Sequence, residues 1–352
     1  MNMRISAVAI GVIALGLAGC KMAPVQVPPN TLVATMTSSA PSMDAVAVDA
    51  IWAKASPLTV TLADGANFGA KPGDTADTKV TLKAVYTADM LYMLIQYADP
   101  THSVRRGPYQ KQADGTWKKL TDPADKGGDD NIYYEDKWAM MWPIDNSIKT
   151  FDKEGCAALC HLDQGKPYGN KYTAREGEMG DIWHMKGQRT APNGFVDDQY
   201  VDHTRYVPKV TPNAGRKNDP GTQGGEYNPV PLVNGVPQFM SRDAKAANTG
   251  GTYFIKRGEE VAFDNSRFKT GDEVASIIIN PLLGDRGDVR VAINWSNGTY
   301  TSVVSRKLVT GSKYDVQFSD LAARYGFGFA AFDNAQVRHA TADDPLYMVF
   351  AK

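Results

Sequence analysis

Short runs in which apolar and polar residues alternate recur from about residue 49 to the C-terminus. Leu58-Thr59-Val60-Thr61-Leu62 and Val80-Thr81-Leu82-Lys83-Ala84-Val85 repeat with period two, and Met90 to Tyr97 is an almost unbroken apolar and aromatic run. A period of two puts every second side chain on one face of a pleated strand, so these segments are predicted to be β-strands with at least one buried face. Lys137 to Pro143, Gly180 to Gly187, Glu273 to Ile279, Asp288 to Trp295, Tyr300 to Arg306, Asp315 to Phe318, Phe327 to Phe332 and Leu346 to Phe350 extend the series. Asp64-Gly65 and Thr87-Ala88-Asp89 mark turns. Ser296-Asn297-Gly298 is a hairpin signal, because Asn-Gly tolerates the positive φ angles of a two-residue connection.

Beyond the N-terminus no long helical period appears, and strands do not alternate with helices as they do in a parallel βαβ series. The pattern predicts an all-β fold, one antiparallel β-sandwich with long loop insertions. Two stretches interrupt it. Ser103 to Asp130 is charged and glycine-containing and reads as a loop. Asp197 to Asn265 is rich in Pro, Gly, Asn and charge and reads as a long surface excursion, partly mobile. The sandwich is placed at residues 43–352, with 197–265 as its insertion.

The N-terminus reads differently. Arg4 precedes an apolar run, Ile5 to Leu17, that is too short for a good membrane span, and Leu17-Ala18-Gly19-Cys20 then has the form of a bacterial lipobox. Residues 1–19 are expected to be a lipoprotein signal peptide, with lipid on Cys20. Residues 20–42, rich in Pro, Val, Thr, Ser and Ala, are expected to be a flexible tether. Lys21 follows Cys20 where an aspartate would hold a lipoprotein at the inner membrane, so the expected location is the periplasm, anchored at the outer membrane. The chain has 352 residues, a net charge of −1 and 43% hydrophobic residues. That hydrophobic share supports a large core, and the near-neutral charge gives no reason to expect nucleic acid.

With Cys20 assigned to lipid, the other two of the three cysteines fall in Gly155-Cys156-Ala157-Ala158-Leu159-Cys160-His161. Two thiols followed directly by an imidazole suit covalent haem attachment, in which the thiols add to vinyl groups and the histidine reaches the iron. The spacing is one residue longer than C-x-x-C-H. Cys160 and His161 keep the usual offset, so haem c through Cys160 is the surer bond and Cys156 the less sure one. A small disulfide or a zinc half-site are the competing readings. Haem is preferred because neither rival requires the histidine to follow the cysteine. A second iron ligand would make an electron carrier. His184 and His339 are candidates for it, Met179 and Met185 weaker ones, and His102 and His203 read as exposed.

Taken with Asp181 to Lys186, Gly284 to Val289, Ser305 to Gly311 and Phe332 to Ala340, the cysteine stretch resembles the ethylbenzene dehydrogenase-related family of haem-binding domains. That family includes the gamma subunits of molybdenum enzymes together with c-type cytochrome relatives. The resemblance implies a β-sandwich holding one haem at a loop and strand edge, with His161 as proximal and His339 as distal iron ligand. His184 is then the runner-up ligand, or a residue hydrogen-bonded near the haem.

The expected function is accordingly a periplasmic, lipid-anchored c-type cytochrome, not an enzyme by itself, passing one electron through a six-coordinate haem in an anaerobic-type respiratory chain. A molybdenum oxidoreductase or a multihaem cytochrome is the expected redox partner, and the N-terminal lipid is the contact with the membrane. Two rivals stand beside it. One is a non-redox ligand- or carbohydrate-binding β-sandwich lipoprotein, with Trp117, Trp138 or Trp295 as a platform. The other is a haem sensor with an open iron site. No nucleophile or paired-carboxylate motif supports chemistry on a substrate.

Overall fold

The computed structural model describes residues 28–351 apart from 72, 124–131, 162–169 and 222–224. The expected signal peptide and Cys20 lie outside the described residues. Thirteen strands join into one bent sheet. In chain order they are β1 (Thr31–Met36), β2 (Leu58–Ala66), β3 (Thr75–Tyr86), β4 (Met90–Ala98), β5 (Lys137–Pro143), β6 (Gly180–Lys186), β7 (Asp197–Val201), β8 (Arg216–Asn218), β9 (Arg290–Ser296), β10 (Thr299–Lys307), β11 (Tyr325–Phe332), β12 (Ala340–Thr341) and β13 (Leu346–Ala351). The hydrogen-bonded order is β8-β7-β6-β5-β11-β12-β2-β3-β4-β10-β9, and β13 pairs with both β1 and β11.

Because β11 and β12 hand the sheet over to β2, the β8-to-β11 half folds back on the β2-to-β9 half. The result is an all-β sandwich. Its core is the meeting of the two inner faces: Leu82, Met93, Ile95, Tyr97 and Tyr300 from one half, and Trp138, Met140, Trp142, Trp183, Phe327 and Phe329 from the other. Period-two alternation explains the membership. Within β5, Trp138, Met140 and Trp142 point inward while Lys137, Ala139 and Met141 point out. The buried Trp138 indole donates to Ser302 Oγ at 3.1 Å, so its polar edge is satisfied inside the core.

The turn at Asn297-Gly298 is as expected. Both residues have positive φ, 50° and 74°, and they join β9 to β10.

Several expectations are corrected. Part of the predicted tether is a core strand: β1 lies parallel to both β13 and β3, with Leu32 and Ala34 fully buried, so the sheet is mixed and not purely antiparallel. Thr31–Met36 is apolar enough to be inserted, and only the distant partner strands decide that it is. The 197–265 insertion is not an excursion. It supplies β7 and β8 of the main sheet, and its residues from Val230 onward pack on the hairpin Tyr109–Lys111/Trp117–Lys119, within the segment expected to be a loop. Tyr109, Trp117, Val230, Met240, Ile255, Phe268 and Ile278 make this a second, smaller core. Conversely, Asp315 to Phe318 is not a strand. Val316 N donates to the Asp181 side chain and Phe318 N to the Leu308 carbonyl, so the backbone is satisfied without a ladder.

Candidate functional site

The outer faces of β5, β6 and β7 floor a cavity of about 480 Å³, a size ordinary for small-molecule sites. The pairing His184↔Asp197 and Ile182↔Gln199 puts His184, Lys186, Asp197 and Gln199 on this outer face, with Asp181, Trp183 and Asp198 on the inner one. Cys160-His161, paired with Asn170-Lys171, forms one wall. Strand β8, Glu226, Arg286, Phe332 and the 336–339 segment form the rest.

The lining is strongly basic. Among the described residues, Lys137, Lys171, Lys186, Arg189, Arg216, Lys217 and Arg286 face it, against the single carboxylate of Glu226. Part of this charge is tied into a buried web. Lys186 Nζ lies 2.5 Å from both Asp197 Oδ2 and Glu226 Oε2, Arg189 Nη1 lies 2.6 Å from Glu226 Oε1, and Arg286 Nε lies 2.5 Å from Asp197 Oδ1. Burial opposes ionisation of Glu226, but Lys186 and Arg189 override it and hold that carboxyl well below its ordinary range. Desolvation offsets most of what such pairs return, so the web's visible consequence is geometric: it fixes where the remaining donors point.

His184 is the clearest of these. Arg216 Nη2 lies 2.8 Å from His184 Nδ1, and a guanidinium can only donate. Burial, then the neighbouring Arg216 and Lys186, drive the imidazole well below its ordinary pKa, so the ring is neutral. Nδ1 is therefore the acceptor and Nε2 carries the hydrogen. That Nε2–H is buried and has no partner among the described residues. A buried orphan donor costs free energy until something accepts from it.

The predicted residues divide. Cys160, His161, His184 and His339 all line the cavity; Cys156 does not. Its sulfur sits beside Gly328, so close that no side chain fits at 328, and packs against the apolar cluster of Ile148, Phe151 and Leu159. Burial pushes its thiol up to about 12. Both cysteines are free thiols. His161 stacks on Tyr172 with ring centroids 3.7 Å apart and gives its Nε2 hydrogen to the Tyr172 carbonyl at 3.0 Å. Burial lowers His339 to about 4, and its Nδ1 donates to the Val337 carbonyl at 2.6 Å. Met185 is fully buried in the core on the inner face, and His203 is exposed. His102 is exposed too, with its ring stacked on Trp295.

These positions correct the expectation of covalent haem c and, with it, the one-electron cytochrome. Two thioethers need both sulfurs on one cavity wall, and Cys156 is turned into an apolar cluster. His161 commits its Nε2 hydrogen to the Tyr172 carbonyl and His184 its Nδ1 to Arg216, whereas His339, with Nδ1 on the Val337 carbonyl, keeps a bare Nε2. The cysteines are not in a haem-binding arrangement.

Reading the sequence for cysteines and histidines missed Lys186, Arg189, Arg216, Glu226 and Arg286. A signal existed in β6, where the outward set Ile182, His184, Lys186 turns polar at two successive outward positions of a strand buried throughout.

Fold and site together define a β-sandwich with a basic cavity on one outer face. The chain belongs to the ethylbenzene dehydrogenase family, whose model matches residues 49–343. None of the curated proteins matches it. Among solved structures it is similar to a family 9 carbohydrate-binding module from Caldicellulosiruptor kristjanssonii in complex with cellotriose, at 9% identity and TM-score 0.31, over 92% of this chain and 95% of that one. A candidate carbohydrate-binding protein from Bacteroides uniformis is similar at 10% identity and TM-score 0.35, over 92% and 100% of the two chains. Likeness at this level says nothing about what this cavity holds.

Proposed function

We propose that this protein is a non-redox ligand-binding β-sandwich whose cavity takes a small anionic, hydroxyl-rich molecule, an acidic sugar being the class that fits. The observation that carries the reading is the His184 Nε2–H, a buried donor without a partner in a cavity where basic side chains outnumber carboxylates. A carboxylate supplies the missing charge. Hydroxyl groups match the amides of Asn170 and Asn218, and Phe332 and Tyr134 offer apolar faces to a sugar ring.

A charge-assisted hydrogen bond is worth about 1.5–3 kcal/mol, so losing one donor should weaken binding by about tenfold to a hundredfold. The test is calorimetry on the purified chain with galacturonate, glucuronate and their dimers, against glucose and cellobiose. Binding of the acidic sugars that falls at least tenfold in His184→Ala is expected. Tighter binding of the neutral sugars, or haem retained by the protein after expression in a host that matures cytochromes, would overturn the reading.

A further inference from the structure

Directly behind the cavity floor, on the inner face of β6 and β7, lies a group of side chains the ligand reading does not use. Asp181 from β6, Asp198 from β7 and Asp315 from the 308–318 loop are fully buried, and each offers an oxygen within 4.8 Å of the others. We propose that these three, joined by Asp219 and Asp288, hold a divalent cation of the hard, oxygen-seeking kind, Ca²⁺ in the first place.

Each carboxylate of the trio is anchored by one oxygen and bare at the other. Asp181 Oδ2 accepts from the Trp183 indole at 3.1 Å and from Val316 N at 3.0 Å. Asp198 Oδ1 accepts from Gln199 N at 3.0 Å, and Asp315 Oδ2 from Thr310 Oγ1 at 2.5 Å. The opposite oxygens, Asp181 Oδ1, Asp198 Oδ2 and Asp315 Oδ1, are buried with no hydrogen-bond partner. Asp219 is a second and separate observation. It is 97% buried (3% exposed), it enters from the chain after β8 against Asp315, and both its oxygens lack partners. Asp288, ahead of β9, lies against Asp198 and adds one more bare oxygen.

Charge makes the same point. Among the described residues Arg306 is the cation facing the group, with Nη2 3.0 Å from Asp315 Oδ2 and 3.6 Å from Asp181 Oδ2. One guanidinium cannot balance five carboxylates. Calcium binds six to eight oxygens at about 2.4 Å, and oxygens that lie within 4.8 Å of one another can share one such ion.

The other buried trio, Asp99, Asp136 and Asp333, is a contrast. Asp136 accepts from Ser103 N, Asn334 N and Tyr300 Oη, and Asp333 from Thr101 Oγ1 and Phe68 N, which leaves Asp99 Oδ2 as the bare oxygen there.

A cation at the Asp181 group would pin five segments that are far apart in sequence, including the 308–318 loop, and would brace β6 and β7 beneath the cavity. The test uses the full purified chain and Tb³⁺ as probe, because the Trp183 indole beside Asp181 will sensitise lanthanide emission. Saturable emission at one ion per chain, displaced by Ca²⁺, is expected. So is a drop in melting temperature of about 5 °C or more when a chelator strips the protein. Asp198→Asn and Asp219→Asn should weaken Ca²⁺ at least tenfold, with Asp99→Asn as the unaffected control. If the variants fail to fold, metal content and chelator response of the wild type decide. The proposal fails if no Ca²⁺-displaceable emission appears and chelation leaves the melt unchanged, or if the emission is indifferent to both substitutions.

Discussion

Replacing Asp99 by Asn should make this protein more stable at alkaline pH, which few substitutions of a fully buried residue do. Asp99 Oδ1 accepts from Thr101 N at 3.0 Å, a bond the Asn carbonyl can keep. Its Oδ2 has no partner among the described residues, and carboxylate oxygens of Asp136 and Asp333 lie within 4.8 Å of an Asp99 oxygen. Two charges at that distance repel by about 3 kcal/mol in a medium of effective dielectric near 20. Burial first, then Asp136 and Asp333, push the Asp99 carboxyl up to about 10. An unfolded aspartate titrates near about 3.9. The folded form therefore holds a proton that the unfolded chain releases. The associated stability is complete below about pH 4 and is lost as the pH rises toward 10. Each pH unit is worth at most about 1.4 kcal/mol. Sharing of the proton with Asp136, whose carboxyl is also raised, lowers the expectation over pH 5 to 8 to about 2 kcal/mol. Urea unfolding of wild type and Asp99→Asn at pH 5, 6.5 and 8 measures it. The difference should move toward the variant by that amount. A difference that does not change with pH would mean that Asp99 is not protonated in the fold, and the reasoning would be wrong.

Gly328→Ala should cost about 2–4 kcal/mol, because the new methyl has no room beside the Cys156 sulfur. Cys156→Ala should recover part of that loss in the double variant, as a double-mutant cycle by chemical denaturation would record. Deleting residues 31–36 should destabilise the sandwich by more than about 3 kcal/mol, since β1 bridges β13 and β3; a melting curve unchanged by the deletion would contradict its place in the sheet. Binding of an acidic sugar should fall further in His184→Ala than in His184→Gln, because glutamine keeps a donor near Nε2; equal losses in calorimetry would remove His184 from the contact.

The all-β class was legible from the chain, because period-two alternation records which side chains face a core. Strands β3 and β4, the hairpin at Asn297-Gly298, and β5, β6 and β11 follow the pattern closely. Membership in the family was legible too, from five short stretches spread over most of the matched region. Local alternation does not say which faces meet. Thr31–Met36 reads as tether or strand until β3 and β13 are beside it. Asp315 to Phe318 has the composition of a strand but gives its hydrogen bonds elsewhere. The cysteine motif named the right wall of the cavity and the wrong chemistry, because backbone geometry turns Cys156 toward Gly328. It also commits the Nε2 hydrogen of His161 to a carbonyl. Asp197 and Asp198 are neighbours in sequence and point to opposite faces of β7, one to the basic cavity and the other to the buried aspartates. Both clusters are made by residues a hundred positions apart, and only long-range strand pairing could bring their charges together.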